Sequence, residues 1–195
     1  MLKTTQMIMD ELHNYASPAD KLSRLVKSGV YTPVTHGLYE TDAATPGHLL
    51  AGSIYGPSYL SFEYALDYYS LIPEAVYVYT CATFEKKKKK LYTNHFGTYT
   101  FRDVPSAAYP YGLKYKQEGE YAYIIASPEK AICDRLYLVP PVNNYRQLEE
   151  LLFEDLRFDD EDLANLSAAD IRFLAAKYPC TNVKRFSKWL EKRHR

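Results

Sequence analysis

Pro73-Glu74, followed further along by Glu85-Lys86-Lys87, spells the loose pattern of a metal-dependent nuclease. In that chemistry both carboxylates hold one divalent ion, so they must lie within a few ångströms of each other. Here the ten residues between them read as one uninterrupted strand. At ~3.3 Å per residue such a strand separates the acids by roughly 36 Å, so the pattern fails on geometry. No Gly-rich phosphate loop, HExxH or GxSxG is present. His13, His36, His48, His95 and His194 lack metal-ligand spacing and read as surface or loop residues. The acidic stretch Glu154–Asp162 lacks the spacing and glycine of a calcium loop. Cys81, Cys133 and Cys180 are odd in number and far apart, as expected of reduced structural thiols in a cytoplasmic protein. The expectation is a non-enzyme with no catalytic residue, no metal and no cofactor.

What remains is charge placed for contact. The totals cancel at 24 basic and 24 acidic residues, so any electrostatic argument is local. Lys21, Arg24 and Lys27 fall on one face of a helix that turns Leu22, Leu25 and Val26 the other way. Such a stripe can meet phosphate, and a solvated helix face looks the same. Lys86, Lys87, Lys88, Lys89 and Lys90 follow an alternating strand. They read as a solvated hairpin loop or edge guard, with a docking patch for an acidic partner as the alternative. The basic tail Lys184, Arg185, Lys188, Lys192, Arg193 and Arg195 suits the C-terminal end of a helix dipole.

The elements that position these residues are legible in outline. Residues 5–15 fit a short helix with Ile8, Leu12 and Tyr15 on one side. Ser17-Pro18-Ala19-Asp20 opens the helix of the basic stripe, and Gly29 stops it. Val30–Val34 and Leu38–Thr41 form a hairpin around Thr35-His36-Gly37. Residues 41–57 read as a connection with a short strand, and Ser61 as the cap of a helix ended by Pro73. Val76–Phe84, Thr98–Val104, Tyr111–Gln117 and Tyr121–Ala126 read as an antiparallel set. Tyr121–Ala126 runs into an apolar helix capped by Ser127, with Pro128 at its first position and Glu129 in its first turn. Lys130, Asp134 and Arg135 form its narrow polar edge. After it the chain is wholly helical, with Ser167 and Asn182 as caps. A composition of 47% hydrophobic and 25% charged residues is that of a soluble globular protein, and twenty tyrosines suit a strand-rich core. The first residues do not read as a signal peptide, and no run reaches the ~18 apolar residues of a membrane span.

Three stretches together resemble the AbiEi family of antitoxins from type IV toxin–antitoxin, or abortive-infection, systems. They are KLSRLVKSGVYTPVTHGLYET from Lys21, YLSFEYALDYYSLIPE at 59–74 and IASPEKAICDRLY at 125–137. The resemblance implies an α+β fold. A reduced winged helix-turn-helix (1–42) precedes an antitoxin domain (43–195), built as an antiparallel sheet packed with helices and a helical C-terminal end. It implies a transcriptional autorepressor that counters a nucleotidyltransferase-like toxin without necessarily forming a stable complex with it. Lys21, Arg24, Lys27 and His36 then become the DNA contacts, and Ser127, Pro128, Glu129 and Lys130 mark the family motif in an architectural role. The sequence departs from the family pattern in having no helix ahead of residues 5–15 and a neutral wing tip at Thr35-His36. Fewer phosphate contacts imply weak, salt-dependent binding to the protein's own promoter. The alternative reading is a protein–protein module whose degenerate winged helix no longer binds DNA.

Overall fold

A computed structural model describes residues 1–193; His194 and Arg195 lie outside it. The chain begins with β1 (Leu2–Thr4), α1 (Thr5–Glu11), α2 (Pro18–Lys27), β2 (Thr32–Thr35) and β3 (Leu38–Glu40). The three strands form an antiparallel sheet in the order β1-β3-β2. Its alternation gives the sheet two different faces. On one side Tyr31 and Tyr39 join Ile8, Leu12 and Leu22 of the two helices in a small separate core. On the other, Leu2, Val34 and Leu38 pack against the main body of the molecule. Gly29 ends α2 at φ 75°, with the Val30 amide bonded to the Leu25 carbonyl at 2.9 Å, the left-handed stop that glycine adopts without strain. Ser17 does not cap the helix as expected; its hydroxyl donates to Asp20 at 2.8 Å.

The main body follows. A 3₁₀ turn, Gly47–Leu50, runs into α3 (Ala51–Ile54), where a strand was expected, and only Tyr59–Leu60 forms β4. Then come α4 (Phe62–Tyr68), β5 (Val78–Thr83), β6 (Lys90–Asn94), β7 (Gly97–Asp103), β8 (Leu113–Glu118), β9 (Tyr121–Ala126) and α5 (Pro128–Tyr137). The helical end comprises α6 (Tyr145–Glu149), which widens to a π-helix over Glu150–Asp155, then α7 (Asp160–Ala164), α8 (Ala168–Ala175) and α9 (Thr181–Arg193). The fold is therefore α+β. The sheet, however, is mixed rather than antiparallel, with order β6-β7-β5-β4-β9-β8. Two insertions break the expected pattern. The β6–β7 hairpin brings β7 back parallel to β5, and the two-residue β4 joins β5 antiparallel and β9 parallel.

Helix α5 is central, packing against β9, α4, α8 and α9. Ser127 caps it by accepting the Lys130 amide at 3.3 Å. Two other expected caps are spent elsewhere. Ser61 turns into the core, next to Phe62 at φ 52°, and Asn182 lies inside α9, where its amide meets the carbonyls of Leu136, Val139 and Pro140. Tyr59, Tyr99 and Tyr178 are buried as a tyrosine-rich core requires, whereas Tyr77 and Tyr115 are exposed. Among the described residues no helix is long and apolar enough to cross a membrane.

Candidate functional site

Helix α2 lies on the side of the small sheet that faces away from the main body, since the opposite face is the one that packs inward. Arg24 and Lys27 are exposed, and neither forms a salt bridge among the described residues. Lys21 is half-buried, with its Nζ 4.9 Å from the centre of the Tyr15 ring, so part of its charge is engaged. Lys3 adds nothing to this face, because Glu11 binds it at 2.7 Å. His36 is exposed at the tip of the β2–β3 hairpin, and no hydrogen bond joins it to α2 among the described residues. The structure thus leaves two of the three α2 cations free.

The lysine run divides into parts with different jobs. Lys86 donates to the Gly56 carbonyl at 3.1 Å and lies over the Tyr55 ring. The Lys87 amide donates to Asp103 at 2.6 Å, and Lys90 is already in edge strand β6, opposite Phe101. Lys87, Lys88 and Lys89 are exposed while Lys86 and Lys90 are half-buried, so a five-lysine docking patch reduces to three. The nuclease-like acids are separately employed: Glu74 pairs with Arg157 at 2.6 Å and Glu85 accepts from Ser106 at 2.9 Å. Among the described residues no cluster of three His, Cys, Asp or Glu side chains could hold a metal ion.

The Ser127-Pro128-Glu129-Lys130 segment carries the largest surprise. Lys130 and Asp134, expected on a polar edge, are both completely buried and 3.1 Å apart. Lys130 Nζ also donates to the Ala108 carbonyl at 2.9 Å and to the Tyr178 hydroxyl at 2.6 Å, which uses all three of its protons. Asp134 accepts from Tyr178 on one oxygen and from Tyr59 (2.9 Å) and Ser61 (2.7 Å) on the other. Burial and the neighbouring Asp134 carboxylate push the Tyr59 and Tyr178 hydroxyls well above the ordinary tyrosine range. Gly112, at φ +69°, crosses directly above Lys130, where an added Cβ would meet the lysine Cβ at 2.8 Å. Every donor and acceptor in this set is satisfied, and none is open to solvent. It joins β4, α5 and the segment after α8; it offers no group to a substrate. Glu129 accepts the Ser167 amide, and Ser127 and Pro128 start the helix, so all four motif residues act in the architecture.

One polar cluster went unforeseen. His48, expected at the surface, is only 17% exposed, with Nε2 3.1 Å from Glu118 and its ring edge-on to Tyr123 at 5.0 Å. Burial raises the Glu118 pKa, but hydrogen bonds from Tyr123 and His48 outweigh this and hold it below the usual carboxylate range. The partners are 70 residues apart in the chain, and nothing local in the sequence marks the pair. No protein-family model matches the chain, and no curated protein matches it.

Proposed function

We propose that this chain is a non-enzymatic, cytoplasmic antitoxin of a type IV toxin–antitoxin system. It counters a nucleotidyltransferase-like toxin and represses its own promoter through a reduced winged helix-turn-helix. The observation that carries the reading is the β1-α1-α2-β2-β3 unit, whose sheet turns one face to the main body and the other to α1 and α2, with Arg24 and Lys27 exposed. That arrangement is what a recognition helix beside a two-stranded wing requires. Two or three phosphate contacts per subunit make a weak site, so repression needs paired sites or a dimer.

A protein–protein role without DNA is the second reading, favoured by the engagement of Lys21 with Tyr15 and by the neutral hairpin tip. Both readings are tested by expressing the adjacent reading frame in cells with and without this chain. A nucleotidyltransferase-like product that arrests growth, and is relieved by co-expression, is the expected result. An adjacent frame of another class, or arrest that persists, counts against the antitoxin. Replacing Lys87, Lys88 and Lys89 by glutamine should abolish the relief, without altering thermal stability, only if those side chains meet the partner.

A further inference from the structure

A cavity of about 500 Å³ lies where the α5–α6 connection, at residues 143–145, meets the start of α9. Thr181, Lys184, Arg185 and Lys188 supply its α9 side, and no aspartate or glutamate is among its described lining residues. Its walls are fixed to each other. Asn182, buried at the start of α9, accepts the Val142 amide at 2.9 Å and donates to the carbonyls of Leu136, Val139 and Pro140. Arg185 donates to the Val142 and Asn143 carbonyls, which holds its guanidinium in place. Three of its five N–H groups have no partner among the described residues.

The charges on this side of α9 oppose the helix that carries them. Lys184, Lys188 and Lys192 are exposed and stand four residues apart, a ladder rising ~6 Å per step. Like charges at that spacing destabilise a helix. Lys184 also closes the first turn, where the helix dipole favours acids and α9 has none. None of the three lysines forms a salt bridge among the described residues. Glu149, Asp160 and Glu191 are engaged by Trp189, Arg193 and Arg172 instead. A concave face of one sign concentrates counter-ions, and an anion seated there relieves both unfavourable terms. The cations extend over more than one helical turn, so the anion that matches them is extended and carries several charges. Nothing selects a base: the Tyr145 ring already has the Lys192 ammonium 4.5 Å from its centre, and Trp189 is buried against Phe186 and Arg193. We propose that this cavity binds an oligophosphate chain, free or as the tail of a nucleotide, through Lys184, Arg185 and Lys188.

The test titrates the full chain by calorimetry with orthophosphate, tripolyphosphate and ATP, at one ionic strength and without divalent metal. Tripolyphosphate is expected to bind saturably and more tightly than orthophosphate, with ATP close to tripolyphosphate. Lys188→Gln should weaken tripolyphosphate roughly tenfold, the effect of one charge-assisted hydrogen bond. The same change should raise the unfolding midpoint of the free chain, because the middle lysine of the ladder is the one with two like-charged neighbours. Replacing Lys114 and Lys116, exposed on β8, by glutamine removes more charge from another surface and should leave binding unchanged. Absence of saturable tripolyphosphate binding overturns the proposal. So does binding untouched by Lys188→Gln, a lower midpoint in that variant, or equal weakening by the β8 changes, which would mark a general attraction to basic surface. ATP bound far more tightly than tripolyphosphate also overturns it, since recognition would then lie in the base.

Discussion

Helices α2 and α5 are both ten residues long, and both open on a Ser-Pro pair, at Ser17-Pro18 and at Ser127-Pro128. In α2 only Leu22 is buried, and Arg24 and Lys27 project into solvent. In α5 six residues are buried, Lys130 and Asp134 among them. The same side-chain chemistry therefore has opposite consequences. A charge inside the protein must have every bond made before the chain can fold around it, and so it has nothing left to give a partner. A charge outside contributes little to folding and remains available. The Ser127–Lys130 segment belongs to the first kind, and any contact with DNA must come from the second.

Removing one member of the buried set should break this contrast most severely. Asp134→Ala leaves Lys130 charged, buried and short of an acceptor, and should destabilise the protein by about 3–5 kcal/mol in urea titration. The double change Lys130→Met, Asp134→Leu should recover only part of that loss, since no charge is then left alone but the Tyr59, Ser61 and Tyr178 hydroxyls still lack their acceptor. A double variant as unstable as Asp134→Ala would mean that the pair contributes more than mutual satisfaction.

Tyr178→Phe comes next, at about 1–3 kcal/mol, because its hydroxyl both accepts from Lys130 and donates to Asp134. It also carries a pH signature. Tyr178 is held neutral in the fold, with its pKa raised well above the ordinary value, while in the unfolded chain it titrates near ~10. The folded chain thus keeps a proton that the unfolded chain releases. The stabilisation is full below about pH 10 and falls as pH rises beyond it. In Tyr178→Phe the alkaline fall should be shallower by about 1.4 kcal/mol per pH unit. An unchanged slope would mean that Tyr178 does not titrate on unfolding.

These interactions also mark where the sequence stops being legible. The start of α5 could be read because serine, proline and glutamate at successive positions act within one turn. The hairpin and the end of α2 were readable for the same local reason, through Gly37 and Gly29 at positive φ. Lys130 and Asp134, four residues apart, look like any solvated pair on a helix surface. What buries them comes from Ser61, Tyr59 and Tyr178, at separations of 73, 75 and 44 residues from Asp134. Ser61 holds the N-cap position of α4 and Asn182 lies in the first turn of α9, but distant partners take the side chains that local rules assign to the nearest amide. The mixed sheet was hidden because β4 has two residues and β6 begins within the lysine run. The basic face of α2 was readable, but the engagement of Lys21 by Tyr15 was not.

A smaller effect separates the two Ser-Pro openings themselves. Ser127→Ala removes a hydroxyl that accepts a backbone amide, and should cost about 1 kcal/mol. Ser17→Ala removes one that serves only the exposed Asp20, and should change the denaturation midpoint much less. Equal costs would show that the two serines act alike in solution, against the difference in their hydrogen bonds.

The smallest effect on stability should accompany the clearest effect on DNA. Arg24 and Lys27 are exposed and unpaired among the described residues, so Arg24→Ala should stay within about 0.5 kcal/mol of the parent chain. If α2 meets the promoter, however, each phosphate contact releases about one counterion, and its loss should reduce the magnitude of the logarithmic salt slope by roughly one. Lys21→Ala should have a smaller effect, because Tyr15 already holds that ammonium in the free protein. The measurement is promoter binding across a salt series for the parent chain, Arg24→Ala, Lys27→Ala and Lys21→Ala. Slopes reduced in the first two variants and least in the third would identify α2 as the DNA-facing helix. A slope untouched by Arg24→Ala and Lys27→Ala would assign binding to another surface, and no binding at low salt would leave the exposed cations of α2 to a protein partner.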